Sequence, residues 1–180
     1  MTVKPSLTEQ SAADGAAVET LLDLSFGPSR RTKTSYRLRE GSSPLPHLSL
    51  VIREHELGLV GAISFWPLSV GPAETPAIML GPLAVHPGRQ RMGIGLELMR
   101  EGIARAKAAG HGLIILIGDA PYYAREGFVQ VPEGQIQVPG PVDPKRLLYL
   151  ELIPRALAKT MGLALPPWRW REINALRAPT

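Results

Sequence analysis

A strand, a glycine-rich turn, a helix and a second strand follow one another in the middle of the chain, and this order constrains the fold most. Apolar residues between Ala77 and Val85 indicate the first strand, and the apolar run Leu113–Ile117 indicates the second. Between them the chain turns through residues 86–95 and enters a helix that stops at Gly110. Because strands joined through a helix lie parallel, this segment predicts a βαβ unit within an α/β fold.

The helix of this unit has a clear helical period, and the strand before it is interrupted. Glu101 and Arg105 have the spacing of an ion pair on an exposed helix face. The recurring apolar positions are Leu96, Met99, Ile103 and Ala106. The strand contains Gly81-Pro82, and because proline has no N–H to donate to a neighbouring strand, we expect a bulge there and a loss of pairing on one side.

Upstream of the unit, the pattern predicts a helix and a hairpin. Residues 14–26 have apolar side chains at helical spacing, and residues 48–53 and 59–65 predict an antiparallel pair of strands. Between these elements, residues 30–40 are strongly basic and are compatible with a short second helix. A charge run of this kind is usually a solvated face, and a role in binding substrate or phosphate is the less frequent alternative.

Downstream, shorter elements are predicted. Residues 119–123 can begin a short helix, residues 128–131 and 147–152 predict strands, and residues 138–144 form a Pro/Gly loop. Residues 154–180 have no clear period, and we expect this tail to pack on the core or at a homodimer contact. The 180 residues fit one domain.

The composition excludes several kinds of site. The chain has no cysteine, which removes disulfides, thiolate zinc sites, iron–sulfur clusters and every mechanism with a protein thiol as nucleophile. The four histidines show no ligand spacing, so no metal site is expected. The net charge of +4 indicates an anionic ligand or partner. No apolar run is long enough for a signal peptide or a membrane span, so we expect a cytoplasmic protein with no membrane partner.

The turn before the helix is suited to binding an anion. A helix that begins at a glycine-rich turn directs unpaired backbone N–H groups and the positive end of its dipole toward a ligand. The dinucleotide-binding fingerprint requires a third glycine where this chain has Leu98. The phosphate loop of nucleotide triphosphatases requires Lys-Ser or Lys-Thr where this chain has Leu96-Glu97. Neither of these motifs is present.

Three segments together resemble the GNAT superfamily of acyl-CoA-dependent N-acetyltransferases. Gln90, Gly93 and Gly95 match its Q/R-x-x-G-x-G/A signature, residues 80–87 are similar to its bulged fourth strand, and residues 118–128 to its Tyr…Gly-Phe segment. The Gly-Asp-x-x-Tyr-Tyr arrangement is similar to a bacterial branch of predicted acetyltransferases. The resemblance implies a GNAT-like domain over residues 1–153, with a mixed, mostly antiparallel twisted sheet flanked by helices and splayed between the fourth and fifth strands.

The resemblance also implies acetyl-CoA as co-substrate, without a metal, and transfer of an acetyl group to a primary amine of a small molecule or a peptide. The residues that it implies for binding the cofactor are Leu83 and Val85, through their backbones to the pantetheine arm, and Gln90, Arg91, Met92, Gly93, Ile94, Gly95 and Leu96 around the pyrophosphate. Arg89 and Arg91 are placed to meet phosphate charge, although each alone is more often an exposed loop arginine.

Tyr123 stands five residues before Phe128, which resembles the position of the family's general acid, and Tyr122 is its rival. A phenol is protonated at neutral pH and can donate to the departing thiolate of CoA. The alternative for either tyrosine is a packed aromatic ring whose hydroxyl finds a hydrogen bond. The sequence does not assign the general base, for which the candidates are Glu40, Glu54, Glu74, His86 and Asp119.

Two other classes of function remain open. A non-catalytic acyl-CoA-binding regulatory module would keep the turn and lose the acceptor chemistry. A protein that binds nucleic acid or another partner would use the basic residues of 30–40 with Trp168-Arg169-Trp170-Arg171. Nucleic acid is the weaker alternative, since a phosphorylated cofactor accounts for the positive charge.

Overall fold

A computed structural model describes residues 5–178. The strands in these residues are β1 (Ser6–Glu9), β2 (Leu50–Glu54), β3 (Gly58–Val70), β4 (Thr75–Val85), β5 (Leu113–Ile117), β6 (Val129–Gln130), β7 (Ile136–Gln137), β8 (Leu147–Glu151) and β9 (Gly162–Leu165). The α-helices are α1 (Gly15–Phe26), α2 (Thr34–Arg37), α3 (Ile94–Ala108), α4 (Ala120–Tyr123) and α5 (Pro167–Arg177). Within this part of the chain, no helix has both the length and the apolar character needed to cross a bilayer.

The sheet is mixed and mostly antiparallel. Its strand order is β1-β2-β3-β4-β5-β8-β6, and β9 pairs with both β3 and β7. β4 and β5 lie parallel, with Ile78 opposite Ile114, while β5 pairs antiparallel with β8 over its whole length. Since α3 connects β4 to β5, the βαβ unit and the α/β fold class are confirmed.

Pairing between β4 and β5 ends where the sequence predicts an interruption. The parallel pairs stop at Met79, opposite Ile115, although β4 continues to Val85. The next residues include Gly81 and Pro82, which are joined by a cis peptide bond. The predicted loss of pairing on one side of this strand is therefore confirmed.

Two compact units make up the chain. The first contains the described residues of Met1–Thr32 together with Pro44–Phe65 and Leu80–Ala109. The predicted first helix and hairpin are confirmed as α1 and as β2 with β3. The core residues that these elements share with the end of β4 are Leu21, Leu22, Val51, Ala62 and Ala84.

The buried face of α3, in the first unit, differs from the predicted face. Leu96 and Ile103 are only partly buried. The buried residues are Ile94, Gly95, Leu98, Met99, Gly102 and Ala106. A Cβ at Gly102 would lie 2.5 Å from Cε2 of Phe65, so the bare Cα allows α3 to approach β3 closely. The predicted positions Met99 and Ala106 are confirmed as buried. Gly102 was missed, because a glycine has no apolar side chain to mark it.

The second unit comprises Lys33–Ser43, Trp66–Met79 and the described residues of Gly110–Thr180. Its core includes residues from β5 and β8 as well as from the loops around them. The buried members are Leu38, Leu68, Val70, Ala77, Met79, Leu113, Ile115, Val131, Ile136, Leu147, Leu157 and Ala164.

Residues 154–178, part of the expected C-terminal tail, contain two regular elements that the sequence pattern did not indicate. β9 pairs antiparallel with β3, with Ser69 opposite Leu165, and parallel with β7. The indole N–H of Trp170 on α5 donates to the Leu163 carbonyl at 3.0 Å. These elements were missed because β9 has four residues and α5 mixes tryptophan with arginine, so neither shows a clean period.

The basic run between α1 and α2 is not a uniformly solvated face. Arg30 is only 1% exposed; its Nε donates to Oδ1 of Asp23 at 2.8 Å and its Nη2 to Oε2 of Glu19 at 2.5 Å. Arg39 places its guanidinium 3.7 Å from the ring centroid of Tyr36. The expectation of a solvated face is wrong for Arg30, because two carboxylates of α1 compensate its buried charge.

Candidate active site

The glycine-rich turn leaves the amino end of α3 open. Gly93 caps the helix with φ 83°, and Arg91 is also left-handed, with φ 64°. The first hydrogen bond of the helix runs from the Glu97 N–H to the Gly93 carbonyl at 2.9 Å, so the N–H groups of residues 94–96 have no acceptor within the helix. They point out of its amino end, where the dipole of a 15-residue helix favours an anion.

The space at this turn can accept a ligand. A Cβ on Gly93 would meet no atom of the described chain within 4 Å, and Met92 is 65% exposed. Gln90 and Arg91 are exposed as well. The structure therefore brings the predicted residues 90–96 together at one helix end, with open space beside Gly93.

Arg89, just before this turn, is paired with a carboxylate. Its Nε donates to both carboxylate oxygens of Glu54, at 3.0 and 2.9 Å, and both side chains are partly buried. This ion pair connects the turn to the end of β2. The description of Arg89 as an exposed loop arginine is therefore wrong, while its placement toward phosphate stays a prediction.

The end of β4 offers backbone groups on the side away from β3. The His86 N–H donates to the Val60 carbonyl at 2.8 Å, which directs the backbone of His86 toward β3. Since these directions alternate along a strand, the groups of Leu83 and Val85 point away from β3. The Ser25 hydroxyl of α1 donates to the Val85 carbonyl at 3.2 Å. The Val85 N–H and the Leu83 backbone groups are then the ones that a ligand can reach.

Tyr123 lies in the second unit, at the end of α4. Its ring packs edge-to-face on Tyr122 and on the buried Phe128, with centroid distances of 5.1 and 5.8 Å. A Cβ on Gly118 would lie 3.0 Å from Cδ2 of the Tyr123 ring and closer still to Cε2, so this glycine makes room for the ring.

Burial sets the protonation state of this pair of tyrosines. It raises the pKa of Tyr123 well above the ordinary value of 10.0, Tyr122 and Asp119 raise it further, and the positive charge of Arg146 lowers it. Burial also raises the pKa of Tyr122, whose ring lies 5.8 Å from the Arg125 guanidinium. Both phenols are therefore protonated at neutral pH.

The candidate general bases occupy different kinds of position. Glu54 is paired with Arg89. Nδ1 of His86 accepts a hydrogen bond from the Gly88 N–H at 3.1 Å. The Glu40 carbonyl accepts a tryptophan N–H of α5 at 2.8 Å. Asp119 precedes α4 and is exposed. Glu74, in the turn before β4, has a buried Oε1 with no partner in residues 5–178. The structure therefore removes Glu54 as a free carboxylate and does not single out a base among the others.

Sequence reasoning missed two residues that support these groups, and it noted Gly118 only as part of a motif. Gly118 and Arg146 lie beside Tyr123, and Ser25 covers the Val85 carbonyl. A lone arginine and a serine within a helix carry no motif, so only their neighbours in the fold reveal them.

The sequence of this chain is similar to those of known N-acetyltransferases. The model of the Acetyltransferase (GNAT) family matches residues 16–128. An uncharacterised N-acetyltransferase of Escherichia coli K12, YjhQ, is 38% identical over 125 residues, which are 68% of this chain and 67% of YjhQ. A second one from the same strain, YhbS, is 28% identical over 115 residues, which are 64% of this chain and 68% of YhbS.

Solved structures agree with the fold. A crystal structure of E. coli YhbS in complex with CoA superposes with a TM-score of 0.78 at 23% identity, covering 92% of this chain and 91% of that one. A GNAT family acetyltransferase from Brucella melitensis in complex with acetyl-CoA has a TM-score of 0.60 at 32% identity, covering 82% of this chain and 96% of that one.

Proposed function

The chain belongs to the Acetyltransferase (GNAT) family, and we propose that it transfers an acetyl group from acetyl-CoA directly to a primary amine of a small molecule or a peptide. The observation that carries the proposal is the left-handed Gly93 at the open end of α3, because it presents N–H groups suited to a diphosphate. The two solved relatives with CoA and acetyl-CoA support the same co-substrate.

In this proposal the pyrophosphate binds to residues 91–96 and the pantetheine arm to the end of β4. Arg91 supplies an exposed positive charge at the turn. Leu83 offers a donor and an acceptor, while Val85 offers its N–H, because Ser25 occupies the Val85 carbonyl. A pantetheine amide carries one donor and one acceptor, which complement these groups.

The reaction begins when the lone pair of a neutral amine attacks the thioester carbonyl carbon. The new C–N bond forms as the carbonyl π pair moves onto oxygen; the C–S bond then breaks, and sulfur leaves with the bonding pair. Tyr123 donates its hydroxyl proton to that sulfur, and water returns a proton to the phenol. The proton that the nitrogen loses goes to solvent.

The raised pKa of Tyr123 determines how it acts. A CoA thiol has a pKa near 8.5, so complete proton transfer from a less acidic phenol to a free thiolate is uphill. Tyr123 therefore first donates a hydrogen bond to sulfur while the C–S bond is breaking, when sulfur is gaining charge and the interaction strengthens. The phenolate that remains once the proton has passed to sulfur is short-lived, because water returns a proton to it.

Binding is tested with two matched glycine variants of the ends of α3. Gly93 and Gly110 have φ 83° and 85°, and a Cβ on either meets no described atom within 4 Å. Alanine at each position should cost about 1–2 kcal/mol of folding stability through its left-handed backbone. Calorimetry should show CoA bound about tenfold more weakly by Gly93→Ala and unchanged by Gly110→Ala. Equal Kd values for both variants would remove the turn from the binding site.

Activity is tested with a set of primary amines and detection of the released CoA thiol. The set contains polyamines, amino sugars, amino-acid amides and short peptides with free amino termini. Tyr123→Phe should lower kcat by about 10²–10⁴-fold, the usual contribution of a positioned acid, whereas Tyr149→Phe on β8 serves as the matched control and should not.

Two outcomes would replace this proposal. Binding of acetyl-CoA without CoA release from any amine would favour a regulatory acyl-CoA-binding module. Salt-sensitive binding of nucleic acid without affinity for CoA would favour a nucleic-acid-binding protein.

A further inference from the structure

Gly118 and Arg146 hold each other beside Tyr123 through two hydrogen bonds. The Gly118 N–H donates to the Arg146 carbonyl at 2.9 Å, and Nε of Arg146 donates to the Gly118 carbonyl at 3.3 Å. The first bond continues the β5–β8 ladder by one residue beyond Ile117 opposite Leu147. The second directs the exposed Arg146 side chain back over the end of β5.

Gly118 is also the residue on which the Tyr123 ring packs. The guanidinium of Arg146 is consequently a neighbour of the phenol, and its charge opposes the rise in the Tyr123 pKa that burial causes. Tyr122 and Asp119 face the same phenol and act in the opposite direction. Among the described groups that act on the Tyr123 pKa, Arg146 alone favours the phenolate.

On the basis of the proposed function, we propose that Arg146 is a positioning residue for the transfer reaction. It holds Gly118 under the Tyr123 ring and places a positive charge beside the phenol as the phenol gives up its proton. This role belongs to no motif of the sequence. It follows from the two hydrogen bonds and from the packing of Tyr123 on Gly118.

The positive charge of Arg146 acts when the Tyr123 proton passes to the sulfur of CoA. When the C–S bond breaks, sulfur takes the bonding pair and then the Tyr123 proton, and the phenol oxygen keeps the electron pair of its O–H bond. That oxygen is negative until water returns a proton. Burial raises the free energy of this Tyr123 phenolate, and the nearby guanidinium of Arg146 lowers it.

The experiment measures kcat and KM for variants of two adjacent basic residues, Arg146 and Lys145. The substrates are acetyl-CoA and the amine of the set that gives the highest kcat/KM. Arg146→Met removes the charge and the Nε donor, and Arg146→Lys restores the charge alone. Lys145→Met is the matched control, because the Lys145 side chain is exposed and it is the backbone N–H of Lys145 that donates to Oδ1 of Asp143, at 2.9 Å.

We expect Arg146→Met to lower kcat about threefold to tenfold, the effect of up to one pKa unit on the acid, with KM for acetyl-CoA changed less than about twofold. Arg146→Lys should recover most of kcat, and Lys145→Met should keep all of it. Added to Tyr123→Phe, Arg146→Met should cause no further loss, because both changes remove the same effect.

Salt gives a readout that a merely structural role would not change. Raising NaCl from about 0.05 to about 0.5 M screens an exposed charge, so kcat of the wild type should fall toward that of Arg146→Met. The Arg146→Met enzyme itself should show no such dependence. Thermal unfolding will show whether Arg146→Met folds. If it does not, the role of Arg146 is tested by the kcat of Arg146→Lys and by the salt dependence of the wild-type kcat. A wild-type kcat that does not change with salt then overturns this role.

The failures are distinguishable. The role of Arg146 is overturned if Arg146→Met has the kcat of the wild type. It is also overturned if Arg146→Met lowers kcat by the same factor in the wild type and in Tyr123→Phe. Either result leaves the proposed function intact. Unchanged kcat in Tyr123→Phe overturns the assignment of the acid, and absence of CoA release by the wild type overturns the proposed function itself.

Discussion

Replacing Gly118 with alanine should displace the Tyr123 ring and slow the reaction. The new Cβ would lie 3.0 Å from Cδ2 of Tyr123 and from Cδ1 of Leu116, whereas carbon atoms pack at about 3.5–4.0 Å. Because Cε2 of the ring would lie closer still, the ring must move by about 1 Å, although it is already in contact with Tyr122 and Phe128. Because the backbone of Gly118 is not left-handed, this contact is the main cost of the substitution.

The expected magnitude follows from that displacement. Overpacking of this size costs about 1–3 kcal/mol of stability, and a misplacement approaching 1 Å lowers kcat by about 10- to 100-fold. We expect KM for acetyl-CoA to stay unchanged, since the proposed binding turn at residues 90–96 lies elsewhere in the chain.

The assay combines CoA release with thermal unfolding. Gly112→Ala is the matched control at the other end of β5, because its Cβ would make an ordinary contact of 3.6 Å with Ala156; it should retain kcat. Adding Tyr123→Ala should abolish most of the stability cost of Gly118→Ala by removing the ring. If Gly118→Ala has wild-type kcat and an unchanged unfolding temperature, the packing argument is refuted.

Three further predictions concern stability, each measured by urea unfolding. Arg30→Met should cost about 1–3 kcal/mol, because it removes charge-assisted hydrogen bonds of a buried guanidinium, whereas exposed Arg31→Met should cost less than about 0.5 kcal/mol. Gly102→Ala should cost about 1–3 kcal/mol through its clash with Phe65, and Phe65→Leu should relieve part of it. A hydrogen bond from Arg53 holds the pKa of Asp14 at about 2. The stability that this carboxylate contributes is therefore present above pH 4 and lost as the pH falls toward 2, and Asp14→Asn should flatten that decline.

The central part of the fold could be predicted because each of its residues carries a local signal. Leu113–Ile117 is apolar without interruption and became β5, and Gly81-Pro82 marked the point where pairing with β5 ends. β9 and α5 could not be predicted, since a four-residue strand is specified by its partners rather than by its own pattern. The buried position of Gly102 on α3 could not be predicted, because a glycine has no side chain that would mark its close approach to Phe65.

In the candidate site as well, some features could be predicted from local sequence, whereas others depend on contacts between distant residues. The turn at residues 90–96 was predicted from the spacing of its glycines, which is a local signal in the sequence. Pairing of Arg89 with Glu54 joins positions 35 residues apart, and the bonds between Gly118 and Arg146 join positions 28 apart. Nothing in a local pattern encodes such partners, so the roles of these charged side chains emerged only from the fold.

The pairing of β9 with β3 has a consequence for synthesis of the protein. Ser69 and Val70 acquire their partners on β9 only when Ala164 and Leu165 have been made. At about 5–20 residues per second, the ribosome needs several seconds to cover that interval. During this time the end of β3 has one unpaired edge, which is open to other extended chains. This edge of β3 is therefore covered only after β9 has been synthesised, about ninety residues after β3 itself.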